Sequence, residues 1–150
     1  MNVAAAGTST GYAFAVPYPM PSQGGPLIFD NRGEVVWFHP LDPLDGANLQ
    51  VQRYRGRQVL TWWQGTINSV GQGRGEGVIV DHSYRRVATV RAGNGLSADL
   101  HELPLTAQDT ALITAFAPRP ADLSTVGGAS SGQVAESVIQ EIDVSSGRVA

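Results

Sequence analysis

The stretch Val78–Val90 (VIVDHSYRRVATV) decides the fold, because it encodes a hairpin that occurs twice more in the chain. The other copies are Leu27–Phe38 (LIFDNRGEVVWF) and Val138–Ala150 (VIQEIDVSSGRVA). In each copy an apolar run ends in an Asp, and a short polar turn leads into a second apolar run. The three Asp residues stand at positions 30, 81 and 143. A strand-built period of roughly 40–60 residues is typical of the blades of a β-propeller.

A second hairpin is predicted between the copies. Asn48–Trp63 forms one around a turn at 55–57, and Asp99–Phe116 forms the other around a turn near 107–109. The first strand of the latter is predicted at Asp99–Leu103. Two hairpins per period give the four antiparallel strands of one blade. No segment keeps a 3.6-residue apolar period, so we expect an all-β chain with about three four-stranded blades and little helix.

The predicted domain organisation is an irregular or disordered segment at 1–10 followed by a partial propeller at 11–150. Propellers close with about 4–8 blades, so we expect the chain to be a fragment of a longer protein. Its terminal blades are then expected to expose unpaired strand edges that favour self-association.

Composition excludes several functions. The net charge is −3, and the only basic cluster is Arg53, Arg55 and Arg57, which argues against a nucleic-acid partner. No apolar run approaches the ~18 residues of a membrane span, and Met1–Thr10 lacks the basic leader of a signal peptide. The chain has no Cys, and all ten basic residues are Arg. Thiolate metal sites, a P-loop lysine and a Schiff base are therefore excluded, and no metal or cofactor is predicted.

Three glycine-rich stretches are interpreted as loops. Gly7–Gly11 and Gly128–Gly132 match the G-x-S-x-G spelling of a hydrolase nucleophile elbow, but neither has the required strand before it and helix after it. Gly71–Gly77 precedes a predicted strand, whereas a dinucleotide-binding fingerprint follows one.

Trp62 and Trp63 are adjacent in a predicted strand and therefore point to opposite faces. A strand that is apolar on both faces is expected between two neighbouring sheets. We interpret both residues, and Trp37, as core.

His101 is the best single candidate for a site. It aligns with Gln50 when the two inner hairpins are superposed, which places it on an innermost strand beside a central channel. Asp99 lies two residues earlier, on the same face, and is predicted to orient the imidazole. The alternative is a channel histidine held only by water and backbone. His39 and His82 are expected at the surface.

Arg53, Arg55 and Arg57 alternate along the chain and can offer guanidinium groups to an anion such as sulfate. They also flank a hairpin turn, where solvated charges are common, and the solvated turn is the favoured interpretation.

Three longer stretches, Gly25–Phe38, Tyr54–Gly65 and Ala92–Leu103, resemble the arylsulfotransferase (arylsulfate sulfotransferase, ASST) family. Asp122–Ser124 and Gln140–Asp143 continue the resemblance, which covers roughly residues 11–150. It implies a six-bladed propeller that transfers a sulfuryl group from a phenolic sulfate ester to a phenol, without a nucleotide donor, through a transiently sulfated channel histidine. An extracytoplasmic location is also suspected from the family.

Only Asp99–Glu102 matches a histidine-bearing motif of that family. The resemblance therefore implies catalytic roles for His101 and Asp99, and we assign substrate binding to Arg53, Arg55 and Asn94. Further histidine motifs of the family are not found in this chain. The nucleophile can thus lie in other blades, with His101 as a donor to the sulfate oxygens and the fragment itself inactive.

Two other functions stay open. A non-catalytic propeller that binds a glycan or a protein is compatible with a single channel histidine. A quinoprotein-like dehydrogenase is the third possibility, because Asp143–Gly147 and the spacing from Gly33 to Trp37 are similar to the repeats of that class.

Overall fold

The computed structural model describes residues 7, 10–18 and 23–150, and this part of the chain contains ten β-strands and one short 3₁₀ turn at Ser124–Val126. Most of the predicted 1–10 segment lies outside the described residues. Within them, no helix is long and apolar enough to cross a membrane. The strands are β1 (Tyr12–Ala15), β2 (Leu27–Asp30), β3 (Val35–Phe38), β4 (Asp45–Tyr54), β5 (Arg57–Ile67), β6 (Gly73–Val80), β7 (Arg86–Val90), β8 (Thr110–Ala121), β9 (Gly132–Asp143) and β10 (Arg148–Val149).

The strands form three antiparallel sheets in chain order. Sheet one is β1-β2-β3, sheet two is β4-β5-β6-β7, and sheet three is β8-β9-β10. The all-β prediction is confirmed. The prediction of four strands per sheet holds for sheet two and is wrong for the other two. In sheet three the predicted strand Asp99–Leu103 is not formed, and an irregular segment replaces it.

The thrice-repeated hairpin is confirmed as β2-β3, β6-β7 and β9-β10, and the structure explains its Asp. The Asp30 carboxylate accepts hydrogen bonds from two amides of its own turn, at 2.9 and 3.0 Å. Asp81 does the same at 2.8 and 3.0 Å. Asp143 accepts from the Ser146 amide at 2.7 Å. Each repeat therefore ends its first strand with a carboxylate that ties the turn together.

The sheets stack face to face, and β5 lies in the middle of the stack. Trp62 packs on one side of it with Leu41 and Val78, beside partly buried Trp37 of sheet one. Trp63 packs on the other side with the core shared by sheets two and three. Both indoles are 1% exposed, so the prediction of opposite, fully covered faces is confirmed.

The interpretation of Gly71–Gly77 as a loop is wrong, because β6 begins at Gly73. The glycines are needed by packing rather than by flexibility. A Cβ on Gly73 or on Gly75 would lie 2.7 Å from Cζ2 of Trp63, closer than real side chains approach. The glycines at these positions therefore leave room for the large indole of Trp63.

The second of the two G-x-S-x-G matches does not form an elbow. Thr8 and Ser9 of the first match lie outside the described residues. The second, Gly128–Gly132, lies in the connection from β8 to β9, and the strand comes after it instead of before it.

Candidate functional site

The candidate site stands on a bulge between sheets two and three. Asp99 lies opposite Thr114 of β8, since its amide donates to the Thr114 carbonyl at 2.8 Å. Leu105 bridges to Ala111. The seven residues from Asp99 to Leu105 thus lie opposite only four residues of β8, Ala111 to Thr114, and the three excess residues loop out. Bulges of this kind redirect side chains and are common beside functional sites.

The Asp99 side chain is buried under this loop, with 0% exposure. Its Oδ1 accepts the Gly73 amide at 2.6 Å, and its Oδ2 accepts the His101 amide at 3.2 Å. The Thr114 hydroxyl lies 3.5 Å from Oδ2. Burial by itself raises the pKa of Asp99, but the bonds from Gly73 and His101 outweigh it and leave that pKa below its ordinary value. The site therefore holds a buried, ionised carboxylate.

His101 shares this carboxylate and reaches solvent. Its Nδ1 is hydrogen-bonded to Asp99 Oδ2, and the side chain is 58% exposed. Because an ionised carboxylate can only accept, Nδ1 must carry the proton in this pair. In the neutral ring the lone pair is then on Nε2. Asp99 thus selects the tautomer and holds the ring in one orientation.

Trp63 holds the backbone next to Asp99 in position. Its Nε1 donates to the Ala98 carbonyl at 2.9 Å, and the Gly75 amide donates to the same oxygen at 3.0 Å. A Cβ on Gly73 would also lie 2.9 Å from the Leu100 nitrogen. The absence of a side chain therefore lets the Gly73 amide approach Asp99. A direct hydrogen bond therefore links the core indole of Trp63 to the backbone beside Asp99.

Two side-chain amides of β4, those of Asn48 and Gln50, lie near His101. The Asn48 Nδ2 donates to the His101 carbonyl at 3.4 Å, and the Gln50 amide is hydrogen-bonded to Asn48 Oδ1. Gln50, the residue aligned with His101 by the repeat, thus lies close to it in space. Sequence reasoning missed Asn48, Gly73 and Thr114 as neighbours. Asn48 has a positive φ of 59°, which favours Asn, but one sequence carries no signal for the other two.

The structure does not bring Arg53 or Arg55 to His101. Arg53 lies near the far end of β4 and Arg55 lies in the turn that follows, and the seven-residue separation of Asn48 and Arg55 corresponds to roughly 20 Å of strand. Arg53 donates to the Gly56 carbonyl at 3.3 Å, as expected for the solvated turn. Asn94 is exposed in the turn that follows β7.

The other two histidines also lie elsewhere. His82 is exposed in the β6-β7 turn, as predicted. His39, predicted at the surface, is only partly exposed. Its ring stacks on Trp37 with centroids 6.0 Å apart and lies 5.3 Å from the Trp62 ring. Burial, and then the charge of Arg86, lower the pKa of His39. Among the described residues no three His, Asp or Glu side chains meet as a metal site would require.

Fold and site together define an all-β protein of stacked antiparallel sheets that presents an imidazole on a buried carboxylate. A sequence model of the arylsulfotransferase (ASST) family matches residues 50–150, which include most of the first inner hairpin, all of the second and the Asp99–His101 pair. The chain belongs to this family. Comparison with curated proteins and with solved structures found no match.

Proposed function

We propose that this chain is part of a β-propeller enzyme that transfers a sulfuryl group between aryl oxygens, with His101 at the reaction centre. The observation that carries the proposal is the Asp99–His101 pair, in which an exposed imidazole stands on a fully buried carboxylate. Membership of the arylsulfotransferase family supports aryl compounds as the substrates. The stacking of the three sheets in chain order supports the propeller.

In the proposed reaction, the Nε2 lone pair of His101 attacks the sulfur of an aryl sulfate. The S–O bond breaks, and the phenolate leaves with the electron pair. A phenol oxygen then attacks the sulfur, the N–S bond breaks, and the imidazole is restored. The proton of this phenol passes to the solvent and balances the phenolate released in the first step. Asp99 holds the Nδ1 proton throughout and stabilises the positive charge that develops on the ring.

A second role for His101 is a donor to the sulfate oxygens, with the nucleophile on another blade. The two roles require opposite protonation states of Nε2. A nucleophile must be unprotonated there, so the rate falls on acidification, whereas a donor must be protonated, so the rate falls at high pH. The pH dependence of transfer therefore distinguishes them.

The test uses the longest natural protein that contains this sequence, with 4-nitrophenyl sulfate as donor and a phenol as acceptor. Release of nitrophenolate measures the first step, and mass spectrometry of the quenched enzyme locates a sulfuryl group. We expect His101→Ala to lower transfer by at least about a hundredfold. Glu34→Ala is the control, since it removes an exposed side chain between β2 and β3. Unchanged transfer in the His101 variant would remove His101 from the mechanism.

A non-catalytic binding module is the second candidate. One observation favours it, namely that His39 and His82 lie away from His101, so this chain brings a single imidazole to the site. Absence of nitrophenolate release in the same assay, together with saturable binding of a glycan or a protein, would support the binding module.

Quinone absorbance in the purified protein would instead support the quinoprotein-like dehydrogenase.

A further inference from the structure

A cleft of about 800 Å³ lies between sheets two and three, at the end of β4 opposite to His101. Its walls come from the β4-β5 turn, from β7 with the turn before it, and from the start of the β9-β10 turn. Its size falls within the ordinary range of small-molecule sites.

Three arginines bring positive charge to this cleft. Arg55, Arg57 and Arg85 line it, and we call it the arginine cleft. One carboxylate, that of Asp81, lines it as well. That carboxylate already accepts two amides of its own turn and lies 3.4 Å from Arg85 Nη2. Three guanidinium groups therefore face one carboxylate that is largely used within its turn.

Arg55 is held in place instead of moving freely. Its Cζ lies 5.1 Å from the centre of the Tyr54 ring, a cation–π contact. Its amide donates to Asp109 Oδ1 at 2.7 Å, which ties the turn to sheet three. A guanidinium that is oriented before binding loses less conformational entropy when it binds an anion.

The cleft also has apolar lining residues. They are Val59, Val87, Ala88 and Val144, and Thr89 and Ser145 line the cleft as well. A bare inorganic ion would leave the apolar residues uncovered. A ligand with an anionic head and an apolar body would contact both kinds of lining residue.

We propose that the arginine cleft binds an organic oxyanion, namely a sulfate or phosphate monoester with an apolar body. The head group contacts Arg57 and Arg85 beside the oriented Arg55, and the apolar body contacts the valines of the lining. This site is independent of His101 and stands whether or not the chain transfers sulfuryl groups.

The test is a titration of the ¹⁵N-labelled His101→Ala variant with 4-nitrophenyl sulfate, 4-nitrophenyl phosphate or uncharged 4-nitrophenol. Using this variant removes any contribution of the proposed reaction centre. We expect saturable shifts of the Arg57, Arg85 and Thr89 amides with at least one ester. The uncharged phenol should bind at least about tenfold more weakly. Comparison of the two esters shows which head group is preferred.

The double substitution Arg57→Gln and Arg85→Gln should weaken ester binding by at least about tenfold, and added salt should weaken it in the unsubstituted cleft. Arg74→Gln is the control, because Arg74 is an exposed arginine on β6 near the other end of the sheet. Equal binding of phenol and esters, unchanged affinity in the double variant, or shifts clustered elsewhere would each overturn the proposal.

Discussion

β4 and the segment 99–105 occupy the same place in successive repeats, yet only β4 is a regular strand. β4 pairs with β5 from Asp45 to Tyr54, and one irregularity interrupts the pairing between Ala47 and Gln50. The segment 99–105 keeps only a few bonds to β8 and has a larger excess of residues at the corresponding point. Pro104 contributes to the difference, since it has no amide hydrogen to donate.

The comparison shows how a repeat can turn a structural element into a site. In β4 the irregularity places Asn48 and Gln50 beside His101. In the segment 99–105 the larger excess turns Asp99 into the interior and leaves His101 outside. Side chains replace the lost ladder bonds, chiefly the side chain of Gln52. Its Nε2 donates to the Leu103 carbonyl at 2.8 Å, and its Oε1 accepts from the Leu105 amide at 2.7 Å.

The largest effect is expected from the indole under the segment. Trp63→Ala should lower the free energy of unfolding by about 3–5 kcal/mol, because it empties a fully buried volume. It should also accelerate amide exchange across 98–101, since the bond to the Ala98 carbonyl is lost. Trp62→Ala is the matched control on the opposite face of β5. It should cost a similar amount in urea unfolding while leaving exchange at 98–101 nearly unchanged, and equal acceleration in both variants would contradict the proposed link.

The second-largest loss of stability is expected when Gln52, whose side chain replaces ladder bonds of the segment 99–105, is substituted. Gln52→Leu keeps most of the volume but leaves the Leu103 carbonyl and the Leu105 amide without this partner. We expect a loss of about 1–3 kcal/mol in chemical denaturation. Gln58→Leu, at an exposed position of β5, is the control and should change stability by less than about 0.5 kcal/mol. Similar losses in the two variants would show that the segment does not depend on Gln52.

A smaller effect is expected when only the charge of the pair is removed. Asp99→Asn can still accept the Gly73 amide, so the stability loss should be about 1 kcal/mol. The His101 ring, however, loses the carboxylate that holds its Nδ1 proton. Nitrogen chemical shifts of the ring should show the Nδ1–H tautomer in the natural chain and a mixture of tautomers in the variant. The same tautomer in both proteins would show that Asp99 does not select it.

The smallest effect lies in the repeated turns, which are exposed. The Ser145 hydroxyl, followed by the amide and hydroxyl of Ser146, lowers the pKa of Asp143 from 3.8 to about 2. Because the folded state binds this proton more weakly, the turn stabilises the fold above pH 3.8 and loses that contribution as the pH falls toward about 2. The stability difference between the natural chain and Asp143→Asn should shrink over that interval. A difference independent of pH would contradict the assigned role of the carboxylate.

The repeat, the three hairpins and the opposite faces of Trp62 and Trp63 could be predicted from the sequence, because strand pattern and turn chemistry are local. The pairing of Asp99 with His101 could also be predicted, since the two residues are only two positions apart. The same local reasoning was wrong for Asp99–Leu103 and for the glycines that begin β6. Both errors depend on Trp63, which is distant in sequence from the Ala98 carbonyl that it binds.

The amino-acid sequence by itself therefore determined most of the strands, their repeat and the acid–imidazole pair. Tertiary structure decided which carboxylate is buried, which histidine is exposed and which arginines share a cleft. The physical reason is that burial and long-range hydrogen bonds depend on how sheets two and three meet. No short stretch of this chain carries that information.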